Sequence, residues 1–379
     1  MSGRKLKGTA VAAPQRVTWD RRTGRSSETT STRNWRTTID TSRPKQDDDD
    51  RTVAELGEFA VIGRAVAGRS QPATTLLGPG DDAAVVRAPD GRVAVSADML
   101  VEGRHFRLDW STPEQVGRKA VAQNGADIAA MGARPTAFLV SLGCPPDTPA
   151  SVAAGISEGI GLAAEAIGAG VVGGDLVQSD HVVVAVTVLG DLEGRAPVLR
   201  SGARAGDVVA VAGALGRSAA GLALLSVGLT GADGASDASD AALVDAHRVP
   251  TPPYRAGVEA ARAGARAMTD ISDGLVADLG HIADASAVRI RVDRSRIGLD
   301  PALAAAAARV GADPWQWILT GGEDHALAAT FPPDVDLPTG WTVIGDVVSG
   351  GGADPESSAV LVDGRDWTAS GGWQSFDAG

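Results

Sequence analysis

Acidic side chains recur in this sequence beside glycines and near the ends of β-prone runs, where they can face a shared cleft. The segments are Gly80-Asp81-Asp82, Ser96-Ala97-Asp98, Gly173-Gly174-Asp175 and Asp270-Ile271-Ser272-Asp273-Gly274, and Asp127 adds a fifth position. A helix from Pro113 would place Asn124 and Asp127, three residues apart, on one face, so that amide and carboxylate can serve one site. Clustered carboxylates repel one another unless cations lie between them. A ligand set made of oxygen alone suits Mg²⁺, which keeps waters and bridges phosphates. Taken singly, each acid reads equally as a turn residue or helix cap, because Asp beside Gly is common turn chemistry. Jointly that reading weakens, since Asp81-Asp82 and the Asp270/Asp273 pair bunch negative charge with no lysine nearby.

Competing chemistries can be checked motif by motif. Gly78-Pro79-Gly80-Asp81-Asp82-Ala83 fits the dinucleotide pattern G-x-G-x-x-A, but Ala83 to Val86 continues as strand instead of opening a helix. There is no Walker A sequence, no H-E-x-x-H and no G-x-S-x-G. The histidines, His105, His181, His247, His281 and His325, are scattered. His281 reads as structural, whereas His105 follows Glu102-Gly103-Arg104 in a loop and reads as a binding residue. The single cysteine, Cys144, can form no intrachain disulfide and anchor no zinc cluster; it reads as a small core residue in a reducing compartment.

The elements that must position these acids follow from composition and periodicity. At 379 residues the chain is long enough for two domains, with 44% hydrophobic and 22% charged residues. Thirty-five basic against 47 acidic residues, a net charge of −12, argue against nucleic acid or an anionic membrane as partner. No secretory signal is recognisable and no apolar run approaches a membrane span; a cytoplasmic location is expected. Residues 1–50 hold eleven basic and seven acidic residues with no apolar period, so a disordered extension of net +4 is expected before a body of net −16. After residue 46 the only lysine is Lys119, so anionic ligands must be met by arginine, backbone N–H groups or metal.

Helices are predicted over residues 53–67, 113–131, 152–167, 218–225, 253–263, 274–285 and 302–310. Strands are predicted near 83–86, 93–96, 138–142, 182–189, 207–212, 267–269, 288–292, 326–330 and 342–344. Residues 228–240 read as an exposed loop. The mixture predicts an α+β fold of two mixed α/β domains, spanning 53–191 and 200–379.

The residues also resemble a known family. Gly80-Asp81-Asp82-Ala83-Ala84, Ser96-Ala97-Asp98 through Gly103-Arg104-His105-Phe106, Asn124 to Asp127, Ala129-Ala130-Met131-Gly132-Ala133 and Gly173-Gly174-Asp175 match in order. Arg200-Ser201-Gly202-Ala203, Asp270 to Leu275 and Leu319-Thr320-Gly321-Gly322-Glu323-Asp324 continue the match. Together they resemble the thiamine-monophosphate kinases of the aminoimidazole-ribotide synthetase superfamily, over residues 54–376. The resemblance implies an ATP-dependent kinase working by Mg²⁺-assisted, in-line transfer to thiamine monophosphate, as a homodimer that pairs its N-terminal sheets. It implies Asp82, Ser96, Ala97, Asp98, Asp127, Asp175, Asp270 and Asp273 at several magnesium ions, Gly174, Arg200 and Ser272 at ATP, and His105, Glu323 and Trp373 at thiamine phosphate. No covalent nucleophile is expected.

The sequence departs from the family pattern at Ala97, where threonine is frequent, and at His325, where tyrosine is usual. Aminoimidazole-ribotide synthetase is the nearest alternative enzyme, and a non-catalytic nucleotide-binding relative the alternative of another class. Cys144 lies where neither selenophosphate synthetase nor the hydrogenase-maturation relative needs its cysteine.

Overall fold

The computed structural model describes residues 51–79, 83–229, 238–350 and 359–367. The extension 1–50, Asp82 and Trp373 lie outside the described residues.

Thr52 and Glu55 form a capping box on α1 (Val53–Leu56), and Gly57, at φ 81°, separates it from α2 (Glu58–Val66). The single helix expected here is therefore two. β1 (Thr75–Leu77) pairs antiparallel with β2 (Val85–Val86). β3 (Ala94–Val101), α3 (Pro113–Ala130), β4 (Arg134–Cys144), α4 (Ala150–Ala166), β5 (Gly170–Gln178) and β6 (Val183–Asp191) follow. Thr112 and Gln115 box the start of α3, with Pro113 at its first position, as its sequence predicts.

These strands form a four-stranded sheet in the order β3-β6-β4-β5, with β4 and β5 parallel and the other pairs antiparallel. Strand alternation sends Leu100, Phe138, Val184, Val186 and Val188 into a core with Val116, Val121, Ile156 and Ile160 of α3 and α4. On the opposite face Val95, Met99, Leu139 and Val177 are exposed. β1 and β5 are not predicted from the sequence; in β5, Gly173-Gly174-Asp175 lies inside the strand, where paired glycines weaken the strand signal.

β7 (Val208–Ala212), α5 (Arg217–Ser226), α6 (Ala238–Arg248), α7 (Tyr254–Arg262), β8 (Ala267–Ile271) and α8 (Leu275–Ser286) open the second half. β9 (Arg289–Val292), α9 (Arg294–Ile297), α10 (Pro301–Val310), α11 (Pro314–Thr320), β10 (Ala326–Phe331), β11 (Trp341–Val348), β12 (Val360–Val362) and β13 (Arg365–Asp366) complete it. The strands form a seven-stranded mixed sheet, β13-β12-β9-β11-β7-β10-β8, in which β12 and β13 are not predicted from the sequence. α8 packs on one face through Leu275, Leu279 and Ile282. Ala256 and Ala260 of α7 share a cluster on the other with Ala129 and Ala130 of α3. α5, α6, α10 and α11 enclose a further cluster around Leu224, Leu243, Leu303 and Ile318.

The expected loop through Asp240 is corrected at its end, where α6 begins. Asp240, Leu243, Val244 and His247 recur at helical spacing and are buried, a period concealed by the small polar residues before it. Among the described residues no helix is long and apolar enough to cross a membrane.

α3 lies unusually close to α4. A Cβ at Gly117 would come within 2.0 Å of the Ile156 carbonyl oxygen, and one at Gly159 within 2.0 Å of the Glu114 carbonyl oxygen. Because both obstacles are backbone, Gly117→Ala is expected to destabilise the protein by about 1–3 kcal/mol despite its better helix propensity. Urea denaturation of the two proteins measures this; equal midpoints would show that the helices can part at no cost.

Candidate active site

Ser96 and Asp98 alternate onto the covered face of β3, against α3. Ser96 Oγ donates to Asp127 Oδ2 at 2.6 Å, and the Asp98 N–H donates to Asn124 Oδ1 at 3.1 Å. Asn124 Nδ2 donates back to the Ala120 carbonyl at 2.9 Å, which fixes the amide so that its oxygen faces the strand. The Asn124/Asp127 spacing read from the sequence thus becomes one edge of a site: the amide holds strand backbone and the carboxylate faces inward.

The second half contributes Asp270, buried on β8, and the turn that follows it. Asp278, in the first turn of α8, accepts the backbone N–H groups of Ser272, Asp273 and Gly274 through Oδ2, at 3.0, 3.0 and 3.1 Å. One carboxylate therefore shapes the whole Ser-Asp-Gly turn. Sequence reasoning missed Asp278, although an acid in the first turn of the following helix was an available signal. Asp273 also feels the opposing charges of His281 and Arg200.

Electrostatics ties these acids together. Burial pushes Asp127 up to about 7, helped by the charges of Asp270 and Asp98 and opposed by the Ser96 hydrogen bond. Burial raises Asp273 as well, with Asp270 and Asp98 adding to it. Asp278 is pushed up to about 7 by burial and then by Asp270 and Asp273, against the N–H bonds it accepts. The result is a set of acids, drawn from both halves of the chain, that feel one another's charge, with Asp273, Asp278 and His281 offering ligand atoms within 4.8 Å of one another. That donor set fits a hard divalent cation such as Mg²⁺.

Beside it lie two residues expected at the acceptor substrate. His105 Nδ1 accepts the Val101 N–H at 3.1 Å, so the neutral ring carries its proton on Nε2. Glu323 sits at φ 64°, its N–H donating to the Ser272 carbonyl at 2.8 Å, so the turn bearing Ser272 and the loop bearing Glu323 are joined through backbone. Lys119 Nζ reaches both the His105 carbonyl and Glu323 Oε2, each at 3.0 Å. The next residue, Asp324, accepts the N–H groups of Gly216 and Ser218 at the start of α5; burial nevertheless pushes it up to about 7. His325 is buried 3.5 Å from Asp270; burial works against its protonation, but that carboxylate raises it.

Not every expected residue joins the cluster. Ala97 points to the exposed face of β3, away from Ser96 and Asp98. Asp175 is exposed on β5, three strand spacings from β3, or about 14 Å, and in register with Ser141 on that same open face. Gly174 has a packing reason of its own, since a Cβ there would meet the Val140 carbonyl oxygen at 2.0 Å. Arg200 is exposed and Ser272 half-buried.

Two sheets joined through one helix, with carboxylates converging between them, define a class that the comparisons specify. Residues 80–192 match the AIR synthase related protein, N-terminal domain, and residues 204–353 the corresponding C-terminal domain. A thiamine-monophosphate kinase from Mycobacterium tuberculosis (strain ATCC 25618 / H37Rv) is 58% identical over 326 residues, covering 86% of this chain and 93% of its own. The crystal structure of thiamine monophosphate kinase from Aquifex aeolicus has a TM-score of 0.66 at 35% identity, covering 73% of this chain and 89% of that one. AaThiL complexed with AMPPCP and TMP has a TM-score of 0.68 at 34% identity, covering 85% and 98%. The chain belongs to the thiamine-monophosphate kinase family.

The raised carboxylates predict a pH dependence in metal-free buffer. Asp127 takes a proton more readily folded, at about 7, than at its ordinary 3.8, so the folded state binds more protons between those values. Stability should therefore fall as pH rises toward and through 7. Asp127→Asn should flatten that slope and raise the metal-free Tm at pH 8 by roughly 2 °C or more, while shrinking the increment that Mg²⁺ adds. Thermal melts at pH 5.5 and 8, with and without Mg²⁺, check both signs.

Proposed function

We propose that this chain transfers the γ-phosphoryl group of ATP to thiamine monophosphate, giving thiamine diphosphate and ADP. The observation that carries the reading is the convergence of Ser96, Asp98, Asp127, Asp270 and Asp273 from both halves of a chain of this family. In this reading Asp82, Ser96, Ala97 through its carbonyl, Asp98, Asp127, Asp175, Asp270 and Asp273 hold the magnesium ions. When bound, those ions would neutralise phosphate charge alongside arginine and backbone N–H groups, in a body with one lysine. Gly174, Arg200 and Ser272 hold the nucleotide; His105, Glu323 and Trp373 hold thiamine monophosphate, with the indole over its aromatic cation.

The acceptor oxygen belongs to a phosphate whose second pKa is about 6, so it is already ionised near neutral pH and needs no strong general base. The task left to the side chains is to align donor and acceptor. Direct in-line transfer fits the state of the lone cysteine, Cys144, which is buried at the end of β4 with its thiol raised by burial. Incubation with ATP and thiamine monophosphate should yield ADP and thiamine diphosphate in equal amounts by mass spectrometry. Asp98→Asn should lower turnover at least 100-fold with the far-UV circular dichroism spectrum retained. Label from [γ-³²P]ATP retained on the protein in the absence of acceptor would refute direct transfer.

We further assign residues 53–191 to a metal- and nucleotide-binding domain that also dimerises, and 200–379 to the second α/β domain. The uncovered apolar face of the four-stranded sheet supports a homodimer. So does Asp175, which the sheet order separates from the other acids of its own chain and which a second copy could engage. A cytoplasmic setting fits ATP as co-substrate and a lone free cysteine. Met99→Arg, at a position 54% exposed on that face, should convert the dimer to a monomer of about the 38.3 kDa chain mass in light scattering. A wild-type monomer would refute the assembly.

A further inference from the structure

Lys119 is the only lysine after residue 46, yet it lies in the middle of α3 and is 2% exposed. Burying an ammonium is costly unless every donor finds a partner, and replacing a buried ion pair by apolar side chains is often neutral or stabilising. Stability alone is thus a poor account of a lysine at this position. Its partners are specific: the His105 carbonyl, in the loop after β3, and Glu323 Oε2, in the loop after α11, both at 3.0 Å. One belongs to the first half of the chain and the other to the second.

We propose that Lys119 is a positioning residue for thiamine monophosphate, its ammonium holding the His105 loop and the Glu323 carboxylate in a single binding wall. The proposal rests on the assignment of His105 and Glu323 to that substrate. Three details support it. His105 is fixed at both ends of its residue, its carbonyl by Lys119 and its Nδ1 by the Val101 N–H, so the ring cannot turn independently of the loop. Glu323 receives Lys119 on Oε2, and its side chain remains 28% exposed, so the carboxylate is anchored without being closed off. The third detail is the polar wall behind the pair.

His247 Nδ1 lies 3.6 Å from Glu323 Oε2 and 3.1 Å from Ser218 Oγ. Burial, with Lys119 next, pushes His247 down to about 3, so it contributes a neutral ring. Burial would raise Glu323, but Lys119 is the first of the opposing charges and the carboxyl ends below its ordinary value. Lys119 therefore does for Glu323 what a neutral neighbour could not: it favours the ionised carboxylate and points it. Removing the ammonium leaves Glu323 Oε2 beside a neutral histidine with no cation to orient it.

The test is a comparison of steady-state constants for Lys119→Met, Glu323→Gln and the wild type, with thiamine monophosphate and ATP varied in turn. We expect Lys119→Met to raise KM for thiamine monophosphate at least tenfold, with KM for ATP changed less than twofold. The double variant should show little further increase over Glu323→Gln. Lys119→Arg, which keeps the charge, should recover part of the loss. If Lys119→Met fails to fold, Lys119→Gln, whose amide can still donate to the His105 carbonyl, reports the same split.

A lowered Tm with both KM values unchanged in Lys119→Met, while Glu323→Gln still raises KM for thiamine monophosphate, overturns the proposal and reduces Lys119 to a staple between the halves. No effect on that KM from Glu323→Gln or from His105→Ala overturns the underlying assignment instead, and the proposal with it.

Discussion

The structure is organised around charge that it does not neutralise. Asp98 and Asp270 raise the cost of ionising Asp127 and Asp273, acids drawn into a partly buried space. Water is excluded enough for Asp127 to reach about 7, although Ser96 donates to it. Packing on both sides must hold the acids against this repulsion, and the close backbone contacts of α3 and the three N–H groups gathered by Asp278 are local means of doing so. A site built this way is primed for a cation and poor for an apolar ligand, which suits chemistry that joins two phosphates.

α3 is the element through which the two sheets communicate. Its Val116, Val121 and Ile128 belong to the core of the four-stranded sheet, while Ala129 and Ala130 belong to the cluster beneath the seven-stranded sheet. Small residues make this double membership possible: Gly257 of α7 lies against the Ala129 carbonyl oxygen so closely that a Cβ would come within 2.0 Å. Asn124, Asp127 and Lys119 occupy the same helix, so one of the acids, the amide that orders β3 and the only ammonium of the body share one rigid frame. A helix fixes such relative positions better than separate loops would.

What the sequence made legible followed from local chemistry. A helix beginning at Pro113 was legible, and so was the shared face of Asn124 and Asp127 three residues apart; both appear in the structure. The gathering of Asp98, Asp127, Asp270 and Asp273 was inferred from recurrence and lack of lysine, properties that survive without coordinates. What stayed hidden depended on long-range packing. β5 gave no strand signal because Gly174 is needed against β4, a strand that precedes it by a whole helix. α6 was masked by the small polar residues preceding it. Lys119 carried a signal in its solitude, but its partners lie 14 and 204 residues away, and no local pattern could have named the second.

The departures from the family pattern acquire meaning from the faces on which they fall. Strand alternation turns Ser96 and Asp98 toward α3 and Ala97 toward the open side of the sheet, so the oxygen that a threonine would add at 97 belongs to a different surface from Asp98. Asp175 lies on that open side too, beyond β6 and β4. Of the expected ligands among the described residues, Ser96, Asp98, Asp127, Asp270 and Asp273 therefore fall on the inner side, and Ala97 and Asp175 on the open side of the sheet. His325 departs on the inner side. Its Nδ1 lies 3.5 Å from Asp270 while its Nε2 is buried without a hydrogen-bond partner, so this chain places a titratable ring where the family usually has a phenol. A positive charge on that ring offsets part of the repulsion that Asp270 exerts on Asp127, which couples the residue two positions after Glu323 to the ionisation of these acids.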